Sequence, residues 1–225
     1  FAWTLCVGAV VVLAVNGGVM PGLRRAVPSP SGKRQRYASI ARDPRTVVLA
    51  LLRLLPTFYW GMAVVLVPLR LADLGASTLT ITAFGTVSQI VASLAQIVTG
   101  RAADRRGPRG PATVVPALLA AAVLGTAFGS GDLILVFVTS TLAAAAAWSM
   151  SALIPVLVSA TMPARSHALT LGWVHLWWNI GMVAGAWVGG ALYEVAPWLP
   201  FAVGGAVNLI SPVLASRLEL SKPTE

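Results

Sequence analysis

The most concentrated group of charged side chains in this sequence lies in GRAADRRGPRG, residues 100–110, between long uncharged stretches. Arginine side chains bind anionic lipid headgroups or carboxylates. Asp104 could pair with these arginines or with the positive N-terminus of a neighbouring helix. Gly107 permits a tight reversal of the chain, and Pro108 stops a helix. The segment is therefore either an ionic latch or a plain turn in which Asp104 only reduces the repulsion between arginines.

Four polar side chains inside apolar stretches are further candidates for chemistry, because such groups are costly in lipid and usually face a cavity or another helix. Arg53 could reach back to water along its aliphatic stem or contact an anionic solute. His175 could relay a proton near neutral pH or remain a neutral, hydrogen-bonded residue. Gln89 and Asn179 could line a polar cavity or bond neighbouring helices.

Two helix faces carry informative patterns. One is a polar stripe whose members are three or four positions apart and so share a face. The stripe consists of Thr82, Gly85, Gln89, Ser93 and Gln96. The other is a ridge of glycines at four-residue spacing, which lets another backbone approach closely. The ridge consists of Gly181, Gly185 and Gly189, roughly opposite His175 and Asn179.

The apolar stretches contain no cluster of histidine, cysteine or carboxylate residues with the spacing of a catalytic triad or a metal site. Cys6 is the only cysteine, which excludes a disulfide framework. Nothing resembles a nucleotide-binding loop. We therefore predict that the chain is not an enzyme, has no catalytic residue and holds no metal or other cofactor.

The elements that position these residues follow from composition, because 57% of residues are hydrophobic and only 10% are charged. Such a chain cannot cover the surface of a water-soluble domain. A membrane crossing needs about 20 apolar residues, and these must be helical because lipid offers the backbone no partner. Seven stretches qualify: 1–20, 47–70, 77–99, 111–129, 133–161, 167–192 and 197–216. We predict an all-α integral membrane protein with seven transmembrane helices.

The net charge of +9 is distributed unevenly between the two sides of the predicted membrane. Segments 21–46 and 100–110 carry most of the basic residues, whereas the connections on the opposite side carry only Arg70. This asymmetry places the basic connections and the C-terminus in the cytoplasm. We expect the membrane to be the plasma, or inner, membrane. The charge orients the chain in a lipid bilayer and gives no reason to expect a nucleic acid partner.

Residues 21–46 are rich in proline, serine, glycine and basic side chains, which predicts a flexible cytoplasmic linker. The chain begins inside an apolar stretch, so we interpret 1–20 as the last helix of a truncated N-terminal half. Residues 47–217 are predicted to form a six-helix bundle, and 218–225 a cytoplasmic tail. Short connections predict that consecutive helices are antiparallel neighbours. Two three-helix repeats fit this count, although no residue-level repeat is visible.

The segment 100–110 resembles the signature loop of the major facilitator superfamily, which joins the second and third helices of each half of these twelve-helix transporters. The resemblance lies in Gly100, Asp104, Arg105, Gly107 and Arg109. The glycine ridge with Asn179 resembles the eleventh helix of that family, and Pro200-Phe201 the start of the twelfth. The chain would then comprise the end of helix six, the central linker and helices seven to twelve.

The resemblance implies a secondary active transporter that moves a small-molecule substrate by alternating access, with the signature loop gating the cytoplasmic side against the missing N-terminal half. It also implies that 47–70 and 133–161 line the central cavity. Tyr59, Trp60 and Trp148 become candidate substrate contacts beside Gln89 and Asn179, and Arg53 and His175 become candidates for coupling.

The alternative is a seven-helix receptor or sensor. A retinal protein would need a lysine inside a span, and Lys33 and Lys222 both lie outside the predicted spans. A receptor without retinal therefore stays open. The spans contain no acidic residue, and the sequence does not distinguish sugar, drug, metabolite and peptide substrates.

Overall fold

The computed structural model describes residues 37–218, and every regular element in this range is helical. The helices are α1 (Tyr37–Ala41), α2 (Pro44–Asp73), α3 (Thr78–Arg106), α4 (Arg109–Phe128), α5 (Leu133–Thr161), α6 (His167–Val195), α7 (Leu199–Asn208) and α8 (Ile210–Ser216). A 3-10 turn at Ala164–Ser166 joins α5 to α6. The predicted span 1–20, residues 21–36 of the linker and residues 219–225 of the tail lie outside the described residues.

Five helical stretches combine the length and hydropathy that a membrane crossing requires: α2, α3, α4, α5 and the stretch Leu199–Ser216, which comprises α7 and α8. Helix α6, with 29 residues, is also long enough, but its glycines, histidine and asparagine lower its hydropathy. It packs against α2 more extensively than any other two helices pack together. The predicted all-α membrane architecture is confirmed.

The segment 100–110 is almost entirely helical, which corrects its interpretation as a loop. Helix α3 continues through the basic residues to Arg106, and α4 begins at Arg109. Alanine and arginine are strong helix formers, so nothing ends α3 before Gly107. Gly107 has φ +80° and ψ 161°, a backbone conformation that is essentially restricted to glycine. The reversal between the two helices therefore rests on Gly107 and Pro108 alone.

The predicted span 197–216 is a pair of short helices in the structure. Pro212 has no backbone N–H to bond the carbonyl of Asn208 four positions earlier, so the α-helical ladder is interrupted there. Helix α7 ends at Asn208, and its side-chain Nδ2 donates to the carbonyl oxygens of Gly204, at 2.9 Å, and Leu55 of α2, at 3.2 Å. The break is thus fastened to a neighbouring helix.

Packing between helices does not follow chain order, contrary to the expectation from short connections. The most extensive pairs are α2 with α6 and α3 with α5, and α4 with α5 is the one consecutive pair that packs comparably within residues 37–218. If the first repeat is α2, α3 and α4 and the second is α5, α6 and α7–α8, then α2 corresponds to α5 and α3 corresponds to α6. The pair α2–α6 therefore corresponds to the pair α5–α3. The packing therefore has the symmetry of two three-helix repeats, which no sequence similarity between the repeats discloses.

Glycines bring the backbones of α2 and α6 close together. Gly181, Gly185 and Gly189 are buried on the face of α6 that meets α2. A methyl group on Gly185 would overlap the carbonyl group of Phe58, and one on Gly181 would lie 2.5 Å from Thr57 Oγ1. Gly61 of α2 in turn faces the backbone of Met182. Glycines on both helices thus make a contact that any larger residue would open.

Candidate functional site

Helix α3 presents three faces. Its buried face includes Phe84, Ser88 and Ala92, which pack into the bundle. An apolar exposed face includes Leu79 and Leu94 and suits contact with lipid chains. The polar stripe lies between them, with Thr82, Gly85, Gln89 and Ser93 exposed and Gln96 half-buried. The stripe is therefore unused by the packing of this bundle.

The hydroxyl and amide groups of the stripe bond only locally among the described helices. Ser93 Oγ donates to the carbonyl oxygen of Gln89 at 2.8 Å, and Thr82 Oγ1 to that of Thr78 at 2.9 Å. Lipid contact would leave the remaining donors and acceptors of these side chains unsatisfied. The polar stripe accordingly suits a water-filled cleft or a polar partner surface.

A cluster of one cation and several aromatic rings lies between α2, α5 and α6. The Arg53 guanidinium carbon is 5.7 Å from the ring centroid of Trp178, within range of a cation–π interaction. The His175 ring stacks on the same Trp178, with centroids 4.9 Å apart and planes 20° apart. Trp60 and Trp148 meet edge to face, with centroids 5.8 Å apart. These groups come from three helices and from both repeats.

Two adjoining cavities open onto this cluster. The smaller, about 10 Å³, is bordered by Arg53, Trp60, Trp148, Ser151 and Trp178 and has room for about one water molecule. The larger, about 370 Å³, is bordered by Arg53, Ser151 and His175 and otherwise mainly by apolar side chains. Arg53 and Ser151 border both. We call the two cavities together the Arg53 cleft.

The electrostatics of the Arg53 cleft are one-sided. Among the described residues every acidic side chain lies at a helix end or in a turn: Asp43, Asp73, Asp104, Asp132 and Glu194. The Arg53 guanidinium makes no hydrogen bond or ion pair within residues 37–218, and its contact is the face of Trp178. The indole Nε1 of Trp148 is buried and also has no hydrogen-bond partner in that part of the chain. The cleft therefore offers donors and a positive charge.

Tyr59 does not belong to the cleft, which corrects its assignment as a candidate substrate contact. It is completely buried, and it packs on the side of α2 that faces Gly204 of α7. Trp60 borders the smaller cavity, whereas Tyr59 borders neither cavity of the cleft. Tyr59 and Trp60 had been grouped because the family resemblance implies that 47–70 lines the central cavity.

Two other predicted cavity residues also lie away from the Arg53 cleft. Gln89 is on the polar stripe of α3. Asn179 is exposed on α6, where its Nδ2 donates to the carbonyl oxygen of His175 at 3.0 Å. Asn179 borders a shallow, largely apolar groove of about 450 Å³ with Val183 and Trp187. The structure thus brings Arg53, His175, Trp60 and Trp148 together and leaves Gln89 and Asn179 on open faces.

The signature residues lie at the end where α3 passes into α4. Asp104, Arg105 and Arg109 are exposed, and Gly100 has open space where a side chain would project. Asp104 forms no ion pair within the described chain. The charges of this segment therefore point away from the bundle and are available to another surface.

A polar network at the opposite end of the bundle was not anticipated from the sequence. Arg70 Nε donates to the carbonyl oxygen of Ser130 at 2.7 Å, and Tyr193 Oη donates to Asp73 Oδ2 at 2.5 Å. Arg70 Nη1 and Asp73 Oδ2 lie 4.0 Å apart. The network ties the end of α2 to the α4–α5 turn and to the end of α6.

Comparison with known proteins identifies the family of this chain. No curated protein matches the sequence significantly. The family described as the Major Facilitator Superfamily matches residues 49–225, a range that contains nearly all of α2 and every later helix. Members of this family are transporters rather than enzymes, so the match does not favour a seven-helix receptor. The chain belongs to the Major Facilitator Superfamily of membrane transporters.

Proposed function

We propose that this chain supplies the C-terminal half of a secondary transporter that moves a small solute by alternating access, with the Arg53 cleft as its share of the substrate site. The observation that carries the proposal is the position of the cleft at the junction of the two repeats. Helix α2 belongs to the first repeat, and α5 and α6 belong to the second. Transporters built from repeats bind substrate at such a junction, because it changes shape when the repeats rock.

The faces that the bundle leaves unused support a second half. The polar stripe of α3 is costly against lipid, and the exposed charges at Asp104 and Arg105 have no partner in this bundle. An N-terminal six-helix half, to which residues 1–20 would contribute the last helix, would cover both. In this proposal the signature segment closes the cytoplasmic side by pairing with that half and opens when the pairing breaks.

The proposed orientation can be tested by labelling helix ends on the two sides of the membrane. We propose that the chain lies in the plasma membrane with the C-terminus and the α3–α4 turn in the cytoplasm, because of the basic residues there. In a Cys6→Ser background, Asp132→Cys should react with a membrane-impermeant maleimide in intact cells, whereas Gly110→Cys should react only after lysis. The reverse pattern would contradict the orientation.

Transport is tested by reconstitution with and without a second half. In this proposal a second half supplies the rest of the cavity, so the chain alone in proteoliposomes should give no solute accumulation. Co-reconstitution with an N-terminal six-helix partner should give accumulation. Asp104→Asn should slow that uptake, with the exposed Ser159→Ala as the matched control on another helix. Uptake by the chain alone would refute the proposal that transport requires two halves.

A further inference from the structure

The one charged side chain that the described helices carry away from their ends needs an explanation. Arg53 lies nine positions after Pro44, about 13 Å along α2. A guanidinium at this depth is unfavourable unless it is paired or hydrated. Arginine elsewhere in the described chain lies near helix ends or in turns, so Arg53 is the exception.

No acid of the described chain can neutralise Arg53. Asp43 is ten positions away on the same side of the membrane, and its carboxylate accepts the backbone N–H of Arg45 at 2.8 Å. On the helices that face the cleft, Asp132 precedes α5 and Glu194 lies near the end of α6, both at the opposite end of the bundle. Any counter-charge for Arg53 therefore comes from outside residues 37–218.

The contact with Trp178 leaves Arg53 able to bind an anion. A cation–π interaction uses the face of the indole ring, and the guanidinium carries five N–H donors in its own plane, which can bind a carboxylate through two parallel hydrogen bonds. The cation–π contact with Trp178 favours one position of the guanidinium and lowers the entropy lost on binding. The Arg53 guanidinium is therefore positioned to bind an anion.

The rest of the cleft suits an apolar body attached to the anion. Trp60 lies seven positions beyond Arg53, about 10 Å along the same side of α2, and meets Trp148 edge to face. The unpartnered Trp148 Nε1 adds a donor next to these rings. No acidic side chain of the described residues borders the cleft, and the charge of Arg53 repels a cation there.

From these observations we infer that the substrate is a small organic anion with an apolar, preferably aromatic, body, whose anionic group binds Arg53 and whose body contacts Trp60 and Trp148. This inference rests on the proposed function, since it names the substrate class of the same cleft. The anionic headgroup of a lipid shares the chemistry of the anionic group, so the experiment separates a soluble anion from a lipid.

The test compares three probes of one shape in equilibrium dialysis against the whole chain in nanodiscs of phosphatidylcholine: 1-naphthoate, neutral 1-naphthamide and cationic 1-naphthylmethylammonium. Naphthoate should bind most tightly. Arg53→Gln should weaken naphthoate binding about tenfold or more and leave naphthamide binding unchanged. Arg101→Gln, an exposed arginine outside the cleft, is the matched control and should change neither.

Two further variants keep the test informative if Arg53→Gln does not fold. Arg53→Lys keeps the charge but loses the planar fork of donors, so it should bind naphthoate with intermediate affinity. Trp148→Phe removes the indole donor and part of the aromatic surface and should weaken naphthoate modestly. Equal binding of the three probes, a preference for the ammonium probe, or no measurable naphthoate binding would overturn the inference.

The lipid and transport readouts separate the remaining outcomes. Adding phosphatidylglycerol to the nanodiscs should leave the affinity for naphthoate nearly unchanged. Competitive loss of naphthoate binding would assign the site to a lipid headgroup and overturn the inference of a soluble anionic substrate. Naphthoate binding without uptake in the two-half proteoliposomes would contradict the transport proposal alone. Uptake of neutral or cationic solutes without preference for anions would contradict this inference alone.

Discussion

Replacement of Gly185 by alanine should destabilise the bundle far more than the same change at its neighbours. A methyl group at this position would overlap the backbone carbonyl of Phe58, which cannot rotate away as a side chain can. Helices α2 and α6 would have to separate along the most extensive contact in the described bundle. Overpacking of this kind costs about 1–3 kcal/mol, and a backbone neighbour favours the upper end of that range.

The glycines of the same helix provide a graded series. Gly189→Ala would place a methyl group 2.7 Å from Met62 Cγ and 3.0 Å from Met62 Cβ, side-chain atoms that yield more readily than a backbone carbonyl. We expect this variant to lower the free energy of unfolding by about 1–2 kcal/mol. Gly190 has no atom within 4 Å of the added methyl group. Alanine there should be neutral or stabilise by about 0.5–1 kcal/mol, because glycine is a poor helix former.

Thermal unfolding in nanodiscs, followed by tryptophan fluorescence, measures the series. For a chain of this length 1 kcal/mol corresponds to about 2–4 °C, so Gly185→Ala should lower the Tm by about 5–10 °C. Gly189→Ala should lower it by a few degrees, and Gly190→Ala should leave it unchanged or raise it slightly. If the three variants unfold at one temperature, the close backbone contact between α2 and α6 is refuted.

The reversal between α3 and α4 and the network at the opposite end give two further predictions. Gly107→Ala should lower the free energy of unfolding by about 1–3 kcal/mol. The cause is backbone strain alone, because no atom lies within 4 Å of the added methyl group. Gly110 has no positive φ, so Gly110→Ala should be nearly neutral in the same unfolding assay. Tyr193→Phe should lower the free energy of unfolding by about 0.5–1.5 kcal/mol, because it removes the donor to Asp73. Tyr37 is an exposed tyrosine without that bond, so Tyr37→Phe should change the Tm by less than the measurement error.

The positions of the helices could be predicted from the sequence because lipid imposes a length and a hydropathy on each crossing. Their ends could not be predicted by the same means. Hydropathy placed the end of 77–99 at the first charge, but the backbone continues to Arg106 because charge does not stop a helix in water. Conversely, 197–216 contains no charged residue and yet breaks at Leu209, because Pro212 interrupts the hydrogen bonds.

Helix pairing was the larger failure of sequence reasoning. Short turns indicate only that helix ends are close, and they do not specify which faces meet. The pair α2–α6 is separated in the chain by three other helices, and its contact depends on glycines in both members. The ridge at Gly181, Gly185 and Gly189 predicted a close contact, but nothing in its spacing identified α2 as the partner.

The same ridge explains why the Arg53 cleft lies where it does. Val174 and Trp178 precede Gly181 by seven and three positions, so they continue the glycine face of α6 toward its N-terminus. Where that face changes from glycine to tryptophan, the space between α2 and α6 is occupied by the side chains of Trp178 and Arg53 instead of by touching backbones. The residue that holds Arg53 could therefore have been predicted once α2 was known as the partner. Among the tryptophans of α6, only Trp178 lies on this face next to the ridge and close enough to reach the arginine.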